Sequence, residues 1–286
     1  MVFRPSPEVE EPPRRAAGPV LHPLLRERDP EFIRAIFPVY AAVSDYYYRA
    51  DVEGQEHLPP GPVLVAATHN GGFAIPDAVA IWVAYWRRFG TDAPGYAMTH
   101  KAALALPGVG LALRRMGGVP ASPESAAIVL RAGFPLFTTP GGDLDSLKPF
   151  AMRHRVVFGG RRGFIRVAIR HQVPIVPVVS VGAHETQVVL NDGRWLARVT
   201  GFARFFRIKT LPVTLSFPFG LTLAGIPSIP LPTKVSIRIL PPIDLGEPPL
   251  AADDPATVER CYERVRAAMQ RELTDLASRR KRVFFG

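Results

Sequence analysis

The sequence has a single cysteine among 286 residues, which excludes an intrachain disulfide and any cysteine-rich zinc site. Its seven histidines are scattered along the chain, and none has a partner at the His-Glu-x-x-His spacing of a zinc-binding helix. We therefore expect no metal site. One thiol is also compatible with a reducing cytosol.

Three catalytic motifs are missing as well. A serine hydrolase of the α/β type is disfavoured because the chain has no Gly-x-Ser-x-Gly elbow. There is no Walker loop and no Gly-x-Gly-x-x-Gly fingerprint for a nucleotide. The thiol of Cys261 lies on the apolar stripe of a predicted helix, so a covalent cysteine mechanism lacks a candidate.

Long apolar runs are also absent. The segment Leu211–Pro232 is uncharged, but its five prolines exclude a regular spanning helix. The N-terminal residues Met1–Arg15 are rich in proline and acidic groups and lack the apolar core of a secretory signal. We predict a flexible arm over residues 1–29 and a single domain over residues 30–286.

The charge balance is strongly basic, with 35 Lys and Arg against 25 Asp and Glu, a formal net charge of +10. Such a chain favours anionic partners, which include nucleic acid, anionic lipid and phosphorylated substrates. No RRM-type aromatic signature or recognition-helix pattern accompanies the charge. We therefore expect a membrane lipid and an anionic bilayer surface as partners, and no nucleic acid.

The most informative stretch runs from Val63 to Asp77. Residues 63–67 are an unbroken apolar run typical of a strand buried on both faces, and a helix is predicted from Pro76 onward. Between them lies a polar turn that begins with Thr68-His69-Asn70-Gly71-Gly72. In open α/β sheets, ligands bind at this carboxyl end of the strands. The ordinary alternative is that His69 only completes a turn.

The rest of the chain continues the alternation of strands and helices. A strand at 134–139, a helix at 164–171 and a strand at 174–181 form a βαβ-like series, which implies parallel pairing. Residues 234–240 alternate as a half-exposed edge strand would. Further elements are predicted at 30–49 (a helix kinked at Pro38), 96–99 (a strand), 123–132 (a helix) and from 255 (a helix). The fold class is α/β, a single domain with a mixed, mostly parallel sheet flanked by helices.

The chemistry available at the strand end is general-base activation of a hydroxyl. A histidine with a carboxylate close enough to orient it removes a proton from an attacking group. Backbone N–H groups of Gly71 or Gly72 would then stabilise an oxyanion. A further His-carboxylate pair, His184 and Glu185, closes the strand begun at residue 174, where it either lines the same site or caps the strand.

A basic cluster lies between the predicted strand at 134–139 and the predicted helix at 164–171. Because Arg161 and Arg162 are placed where a helix begins, they oppose the helix dipole unless an anion neutralises them. This favours a bound phosphate, and a solvated basic face is the alternative. The members of the cluster are Lys148, Arg153, His154, Arg155, Arg161 and Arg162.

Two segments have the composition of a membrane interface. Residues 30–49 end in three tyrosines, and residues 202–232 join aromatic and basic groups to uncharged surface. The first could instead be a helix packed on the domain, and the second a loop over a substrate tunnel. The tail at 279–285 is basic and then aromatic, which suits an anionic bilayer or a disordered end.

Three blocks of the sequence resemble a known family. These successive blocks, over residues 68–77, 139–143 and 173–178, are similar to those of the glycerolipid acyltransferase superfamily, which includes the lysophosphatidic acid acyltransferases. A bacterial branch of lysophospholipid or diacylglycerol-type acyltransferases is more similar still. The resemblance covers roughly residues 50–245 and implies the corresponding α/β fold.

The resemblance implies an acyl transfer from acyl-CoA or acyl-ACP, which serve as co-substrates and not as cofactors. His69 would be the general base and Asp77 its orienting carboxylate. Residues implied to bind or shape the substrate are Asn70, Gly71, Gly72, Gly141, Gly142, Asp143, Arg153, Arg155, Arg161, Arg162, His184 and Glu185.

Two departures from the family pattern bear on the roles of Asp77 and of the arginine that would bind the acceptor. The usual aspartate comes five residues after the histidine, where this chain has Ala74, and Asp77 comes eight residues after. The usual Phe-Pro-Glu-Gly-Thr-Arg block reads Thr-Pro-Gly-Gly-Asp-Leu over residues 139–144, without the arginine associated with the acceptor's phosphate. Either Arg153, Arg155 or Arg161 replaces that arginine, or the acceptor is not a lysophosphatidic acid.

The expectation is therefore a membrane-associated O-acyltransferase on the cytoplasmic face of a membrane, attached without spanning it. Two other functions stay open. One is a non-catalytic, membrane-docked lipid-binding protein, prompted by the displaced aspartate and the missing arginine. The other is a lipid hydrolase or thioesterase that uses the same histidine.

Overall fold

A seven-stranded sheet carries the candidate site, and a three-stranded sheet lies beside it. The computed structural model describes residues 21–201, 211–223, 228–280 and 282. The strands are β1 (Asp51–Glu53), β2 (Leu64–Ala67), β3 (Tyr96–Thr99), β4 (Gly118–Pro120), β5 (Leu136–Thr138), β6 (Ile175–Val181), β7 (Val188–Asn191), β8 (Val213–Ser216), β9 (Gly220–Leu223) and β10 (Ser236–Ile239).

Helices cover both faces of the larger sheet. They are α1 (Pro23–Arg26), α2 (Pro30–Ala42), α3 (Pro76–Phe89), α4 (Lys101–Ala105), α5 (Val109–Arg115), α6 (Pro123–Arg131), α7 (Asp143–Ser146), α8 (Gly163–His171), α9 (Arg194–Val199) and α10 (Pro255–Ser278). Short 3-10 turns lie at Gln55–His57, Gly72–Ala74, Phe150–Met152, His184–Thr186 and Pro249–Asp253, and a π turn at Val43–Tyr47 extends α2.

The strand order of the larger sheet is β1-β10-β6-β2-β5-β3-β4. All neighbours are parallel except β10 and β6, so the sheet is mixed and mostly parallel, as predicted. The predicted central strand, β2, occupies the middle position. Its residues are buried throughout, as a strand covered on both faces requires.

The side chains of β2 divide between two hydrophobic cores. Leu64 and Ala66 join the core that α6, α8 and α10 complete. Val65 and Ala67 join the core on the opposite face, which α2 and α3 complete. This division follows from the two-residue period of a strand, and it places one helical layer on each face of the sheet.

Local signals position several helices as the sequence predicts. Ser122 accepts the N–H of Ser125 and caps α6. Asp254 accepts the N–H groups of Ala256 and Thr257 and caps α10. Cys261 is a buried core residue on α10.

The prediction of an edge strand over residues 234–240 is wrong. β10 lies between β6 and β1, because the three-residue strand β1 pairs with it in parallel and takes the edge position. The alternating burial along β10 is as predicted, but it arises because its side chains alternate between the two faces of the sheet, and not because the strand lies at the edge. A strand as short as β1 has no period that sequence inspection can detect.

The apolar side of α2 packs on the domain. Phe37 and Tyr40 make edge contacts with the ring of Trp86 on α3, and Ile33 is fully buried. Tyr46, in the π turn that follows, is exposed. Most of the predicted interfacial surface at 30–49 is thus occupied by packing.

Several predicted segments lie mostly or partly outside the described residues. They are the arm at 1–29, the predicted interfacial segment at residues 202–210 and 224–227, and most of the tail at 279–285. In the described part of the chain, no helix combines the length and apolar composition of a transmembrane span.

Candidate functional site

Three loops meet at the carboxyl edge of β2, β5 and β6. Because these strands are parallel neighbours, the loops that follow them lie side by side. The first loop carries His69, the second contains α7, and the third contains the 3-10 turn His184–Thr186. The Oγ of Ser146 in the second loop donates to the carbonyl of Gly72 in the first, at 3.2 Å.

His69 and Asp77 face each other across the first loop. The Nδ1 of His69 lies 3.9 Å from Oδ1 of Asp77, an ion-pair distance that is longer than a hydrogen bond. The imidazole is 19 % exposed and the carboxylate 2 % exposed. The structure therefore brings together the two residues expected to be catalytic, with only the histidine reachable from solvent.

The three extra residues between His69 and Asp77 are taken up by a compact turn. Gly71 has a φ of 81° and Gly72 a φ of 59°, and a 3-10 turn follows over Gly72–Ala74. Ile75 then adopts a φ of 38°, a left-handed conformation that is uncommon for a β-branched residue. This turn returns the chain so that Asp77, in the first turn of α3, points back at the histidine.

Asp77 is held in place by hydrogen bonds. Its Oδ2 accepts the N–H of Asn70 at 2.7 Å, and its Oδ1 accepts the N–H of Ala78 at 2.8 Å. The hydroxyl of Ser180 on β6 lies 3.5 Å from Oδ2 and accepts the side-chain amide of Asn70 at 2.8 Å. Asn70 therefore binds the Asp77 carboxylate through its main-chain N–H and binds Ser180 on β6 through its side-chain amide.

A buried ion pair fixes the histidine from the other side. Asp145 on α7 accepts the main-chain N–H of His69 at 2.7 Å and the ammonium of Lys148 at 2.6 Å. Lys148 also donates to Oδ1 of Asn70 at 2.8 Å. The network ties the loop after β5 to the turn that carries His69.

The surroundings raise the pKa of His69. Burial on its own would lower that pKa, but the carboxylates of Asp77 and Asp145 outweigh it, and Lys148 opposes them only in part. A histidine with a raised pKa is a stronger base once deprotonated, which suits removal of a proton from an alcohol.

The glycines of the site are required by close approach. A Cβ on Gly71 would lie 2.6 Å from the carbonyl oxygen of Ala183, and one on Gly141 would lie 2.4 Å from Cβ of Asp145. Gly142 has a φ of 50° and begins α7. Gly71 thus lets the first loop contact the third, and Gly141 lets the second loop pack closely on itself; their pocket-shaping role stays a prediction.

The basic cluster of the sequence does not stay together as one site. Arg161 donates to the Asp143 carboxylate and to the Gly141 carbonyl. Arg162 pairs with Glu259 on α10 and lies over the ring of Tyr262. Carboxylates of the protein therefore pair with both arginines at the start of α8, and anion binding there stays a prediction.

Arg153 and His154 face a third carboxylate. Glu185, which is buried, lies 3.6 Å from Nε of Arg153 and 3.8 Å from Nε2 of His154. Burial works against ionisation of Glu185, but His154 and Arg280 together hold its pKa below the usual range. Arg155 is exposed.

His184 is a structural histidine in this arrangement. Its Nε2 lies 2.8 Å from the carbonyl oxygen of Lys148, so this nitrogen carries the proton and donates. Burial, with help from the ammonium of Lys148, lowers its pKa to about 3. The ring is therefore neutral, and it supports the loop that carries Lys148.

Sequence patterns alone miss the roles of three residues of the site. Asp145 belongs to no motif, and Ser180 lies within an apolar strand. Lys148 falls in the basic cluster, although its position three residues after Asp145 is a pairing distance on a helix. The signal for Ser180 is that it is the single polar residue in β6.

Within the described residues, no group of three or more His, Cys, Asp or Glu side chains is arranged to hold a metal ion. The chemistry that the site offers is that of an oriented base, buried carboxylates and main-chain amides.

Comparison with known proteins assigns the fold and the family. A family model described as acyltransferase matches residues 49–181. The crystal structure of the 1-acyl-sn-glycerophosphate acyltransferase PlsC from Thermotoga maritima is similar in fold, with a TM-score of 0.55 at 19 % identity over 87 % of this chain and 81 % of that chain.

Two curated relatives extend the comparison. An uncharacterised protein of Mycobacterium tuberculosis is 31 % identical over 262 residues, 90 % of this chain and 70 % of its own. A mouse protein named DGAT1/2-independent enzyme synthesizing storage lipids is 27 % identical over 83 % of this chain and 63 % of its own. Together with the strand-end histidine and its carboxylate, these similarities show that the chain belongs to the glycerolipid acyltransferase superfamily.

Proposed function

We propose that the chain transfers an acyl group from acyl-CoA or acyl-ACP to a hydroxyl of a glycerolipid or lysophospholipid, at the cytoplasmic face of a membrane. His69 acts as general base and Asp77 orients it. The observation that carries the proposal is the 3.9 Å contact between His69 Nδ1 and the buried carboxylate of Asp77, at the carboxyl end of the central strand.

The reaction needs one proton acceptor and one site that stabilises the oxyanion on the thioester carbonyl. Since Nδ1 faces Asp77, Nε2 takes the proton of the acceptor hydroxyl while the alcohol oxygen attacks the thioester carbonyl carbon. The C–S bond then breaks, and the thiolate leaves and takes up the proton from the imidazolium. A thiolate is a good leaving group, so the step requires no covalent enzyme intermediate.

The glycines take the supporting roles in this proposal. Backbone N–H groups of Gly71 and Gly72 stabilise the oxyanion that forms on the carbonyl oxygen. Gly141 and Gly142 let the loop after β5 fold closely on itself, because a Cβ there would meet Asp145 or Arg161. The N–H of Asn70 is not available, since Asp77 already accepts it.

Arg153 is the arginine we assign to an acceptor phosphate. In the described residues its Nε is buried without a hydrogen-bond partner, and the Glu185 carboxylate lies beyond hydrogen-bond distance. Arg153 does face Glu185 as an ion pair, and its Nη1 donates to the Phe150 carbonyl at 3.1 Å. Arg161 and Arg162 differ in that each hydrogen-bonds directly to a carboxylate, that of Asp143 or Glu259. The alternatives are that Arg155 or Arg161 serves instead, or that the acceptor is not a lysophosphatidic acid; a neutral acylglycerol, for example, needs no arginine.

The test is release of free CoA and formation of a new ester with lysolipid and acylglycerol acceptors. His69→Ala removes the base and is expected to lower kcat/KM on the order of 10²–10⁴-fold. His171→Ala, at the end of α8 and away from the site, is the matched control and retains activity. Equal rates for the wild type and His69→Ala would refute the assignment.

Product analysis separates the two remaining alternatives. A hydrolase or thioesterase would yield free fatty acid in place of a new ester, since water instead of an alcohol would lose its proton to His69. A non-catalytic lipid-binding protein would consume no thioester with any acceptor.

A further inference from the structure

The small sheet formed by β7, β8 and β9 has its polar and apolar faces reversed. Along β8, Thr214 and Ser216 are buried, whereas Leu215 between them is 50 % exposed. A sheet that packs on a protein core and faces water on the other side has the opposite alternation, apolar inward and polar outward. This sheet therefore presents its apolar side chains to the surroundings.

The strand register extends this pattern across the sheet. Leu215 lies opposite Leu221 on β9, and Val213 lies opposite Leu223, so these side chains share one face. Leu221 is 69 % exposed and Leu223 is 51 % exposed. On the other face, the hydroxyls of Ser216 and Thr222 hydrogen-bond to each other at 2.6 Å. The hydroxyls of Ser216 and Thr222 are thus satisfied by each other, while the leucines remain outside.

Aromatic residues border the exposed leucines. Phe217 and Phe219, in the turn between β8 and β9, are both more than half exposed. Trp195 on α9 is 73 % exposed, and Val199 lies one helical turn further on. Gly193, where α9 begins, packs so closely on the Leu211 carbonyl that a Cβ would clash with it. The helix therefore adjoins the start of β8.

The geometry points to the β7–β8–β9 sheet, with the turn at 217–219 and α9, as the surface by which the protein docks on an anionic lipid bilayer. The aromatic side chains suit the interfacial region of a membrane, and Arg194 and Arg198 on α9 are exposed beside Trp195. The formal net charge of +10 is complementary to anionic headgroups. The choice of lipid over protein rests on the function proposed above, because a glycerolipid acceptor resides in a bilayer.

The docking sheet is directly connected to the site. β7 begins at Val188, and the preceding residue, Gln187, lies so close to Gly72 that a Cβ there would be 2.1 Å from its Oε1. The strand β7 thus begins one residue after a side chain that contacts the turn of His69.

The test is binding to vesicles, measured without turnover. Wild-type protein is expected to sediment with vesicles of phosphatidylcholine and phosphatidylglycerol in equal parts, and less with phosphatidylcholine alone. The variant Leu215→Thr/Leu221→Thr/Leu223→Thr keeps strand-forming residues on the sheet, and its partition coefficient is expected to fall on the order of tenfold or more.

A matched control removes equally exposed side chains elsewhere. Val39→Thr/Leu106→Thr/Leu250→Thr changes three exposed residues outside the docking surface and is expected to bind vesicles as the wild type does. Equal losses in the two triple variants would overturn the proposal. Circular dichroism and a thermal melt establish that both variants are folded.

Trp195 supplies a second, independent readout. The chain has three tryptophans, and Trp82 and Trp86 are buried side chains of α3, so a blue shift in fluorescence on vesicle addition reports Trp195. Trp195→Phe should abolish the shift. A shift that survives this variant, or no shift in the wild type, would count against docking at α9.

Two further outcomes separate lipid docking from self-association and from a failure of catalysis. A wild-type dimer that forms without lipid, is lost in the Leu→Thr triple variant and does not bind vesicles would assign this face to a second copy of the chain and overturn the proposal. Failure of the proposed acyl transfer is seen separately, as absence of ester formation with a dispersed short-chain acceptor. The triple variant is expected to keep wild-type rates with that acceptor.

Discussion

Lys148 and Asp145 form a 2.6 Å ion pair next to the turn that carries His69, and their side chains are 1 % and 0 % exposed. The carboxylate also accepts the main-chain N–H of His69, and the ammonium also donates to Asn70. Burying two charges costs desolvation free energy, so the pair is weak support for net stability. Its consequence is that neither charge can be removed alone.

Lys148→Met should therefore be strongly destabilising. The substitution leaves the carboxylate of Asp145 buried without its counter-charge, which typically lowers the free energy of unfolding by about 3–5 kcal/mol. Urea denaturation followed by circular dichroism measures the change. Activity should fall with it, because the N–H contact that fixes His69 depends on the position of Asp145.

Arg266→Met is the matched control for this substitution. Arg266 and Glu263 also pair at a spacing of three residues, but on the exposed side of α10. An exposed pair contributes about 0–1 kcal/mol, so the control should lose little stability. Similar losses in the two variants would mean that burial of the Lys148 pair has no energetic consequence.

The order of the main elements could be predicted because short-range signals agree with the fold. The apolar run of β2, the proline that opens α3 and the Ser122 and Asp254 caps are all local, and each is found where the sequence places it. The outermost strands could not be predicted in this way. β5 is as short as β1 and β4, but it is buried throughout and lies in an apolar run, whereas β1 reads Asp-Val-Glu and β4 reads Gly-Val-Pro. Their existence depends on partners distant in sequence.

The small sheet is difficult to predict for a different reason. Residues 213–216 alternate between apolar and hydroxyl side chains, the two-residue period of a strand, but the prolines nearby obscure that short pattern. The site shows a similar limit. The family resemblance implied that Asp77 orients His69, although it comes eight residues later. The turn of Gly71 to Ile75 explains how this longer segment closes to 3.9 Å.

Asp77→Asn should shift the pH dependence of kcat/KM. His69 is active as a base when neutral, so wild-type activity should rise with pH through the pKa of His69, which lies above its ordinary value of about 6.5. Loss of the Asp77 charge removes one cause of the raised pKa of His69, so the midpoint of the pH profile should move to lower pH. Glu185→Gln, a carboxylate of the neighbouring loop, should leave the midpoint in place.

The raised pKa of His69 also makes the stability of the protein depend on pH. His69 contributes to the free energy of unfolding fully below its unfolded pKa of about 6.5, and this contribution is lost as the pH rises through the higher pKa of the folded state. The difference in unfolding free energy between wild type and His69→Ala should therefore shrink as the pH increases. A difference that grows with pH would contradict the raised pKa.

Gly71→Ala tests whether close packing of the loops positions the site. Gly71 has a φ of 81°, and its Cβ would meet Pro76 and the Ala183 carbonyl. Gly133 has a φ of 82° and open space around its Cβ position, so Gly133→Ala carries the backbone strain alone. Strain of about 1–2 kcal/mol is expected in both. Only Gly71→Ala should also lose activity, on the order of 10²-fold in kcat/KM, since it displaces Asp77 from His69.

Arg153→Gln decides which acceptor the site takes. If Arg153 binds a phosphate, the substitution removes a charge-assisted hydrogen bond, and KM for lysophosphatidic acid should rise roughly tenfold or more, with KM for a monoacylglycerol unchanged. Arg155→Gln, at an exposed position two residues away, should change neither value. Parallel changes with both acceptors would assign Arg153 a structural role beside Glu185. A wild type that acylates only the neutral acceptor would instead be explained by Leu144, which occupies the position of the family's arginine. A neutral acylglycerol has no phosphate for such an arginine to bind.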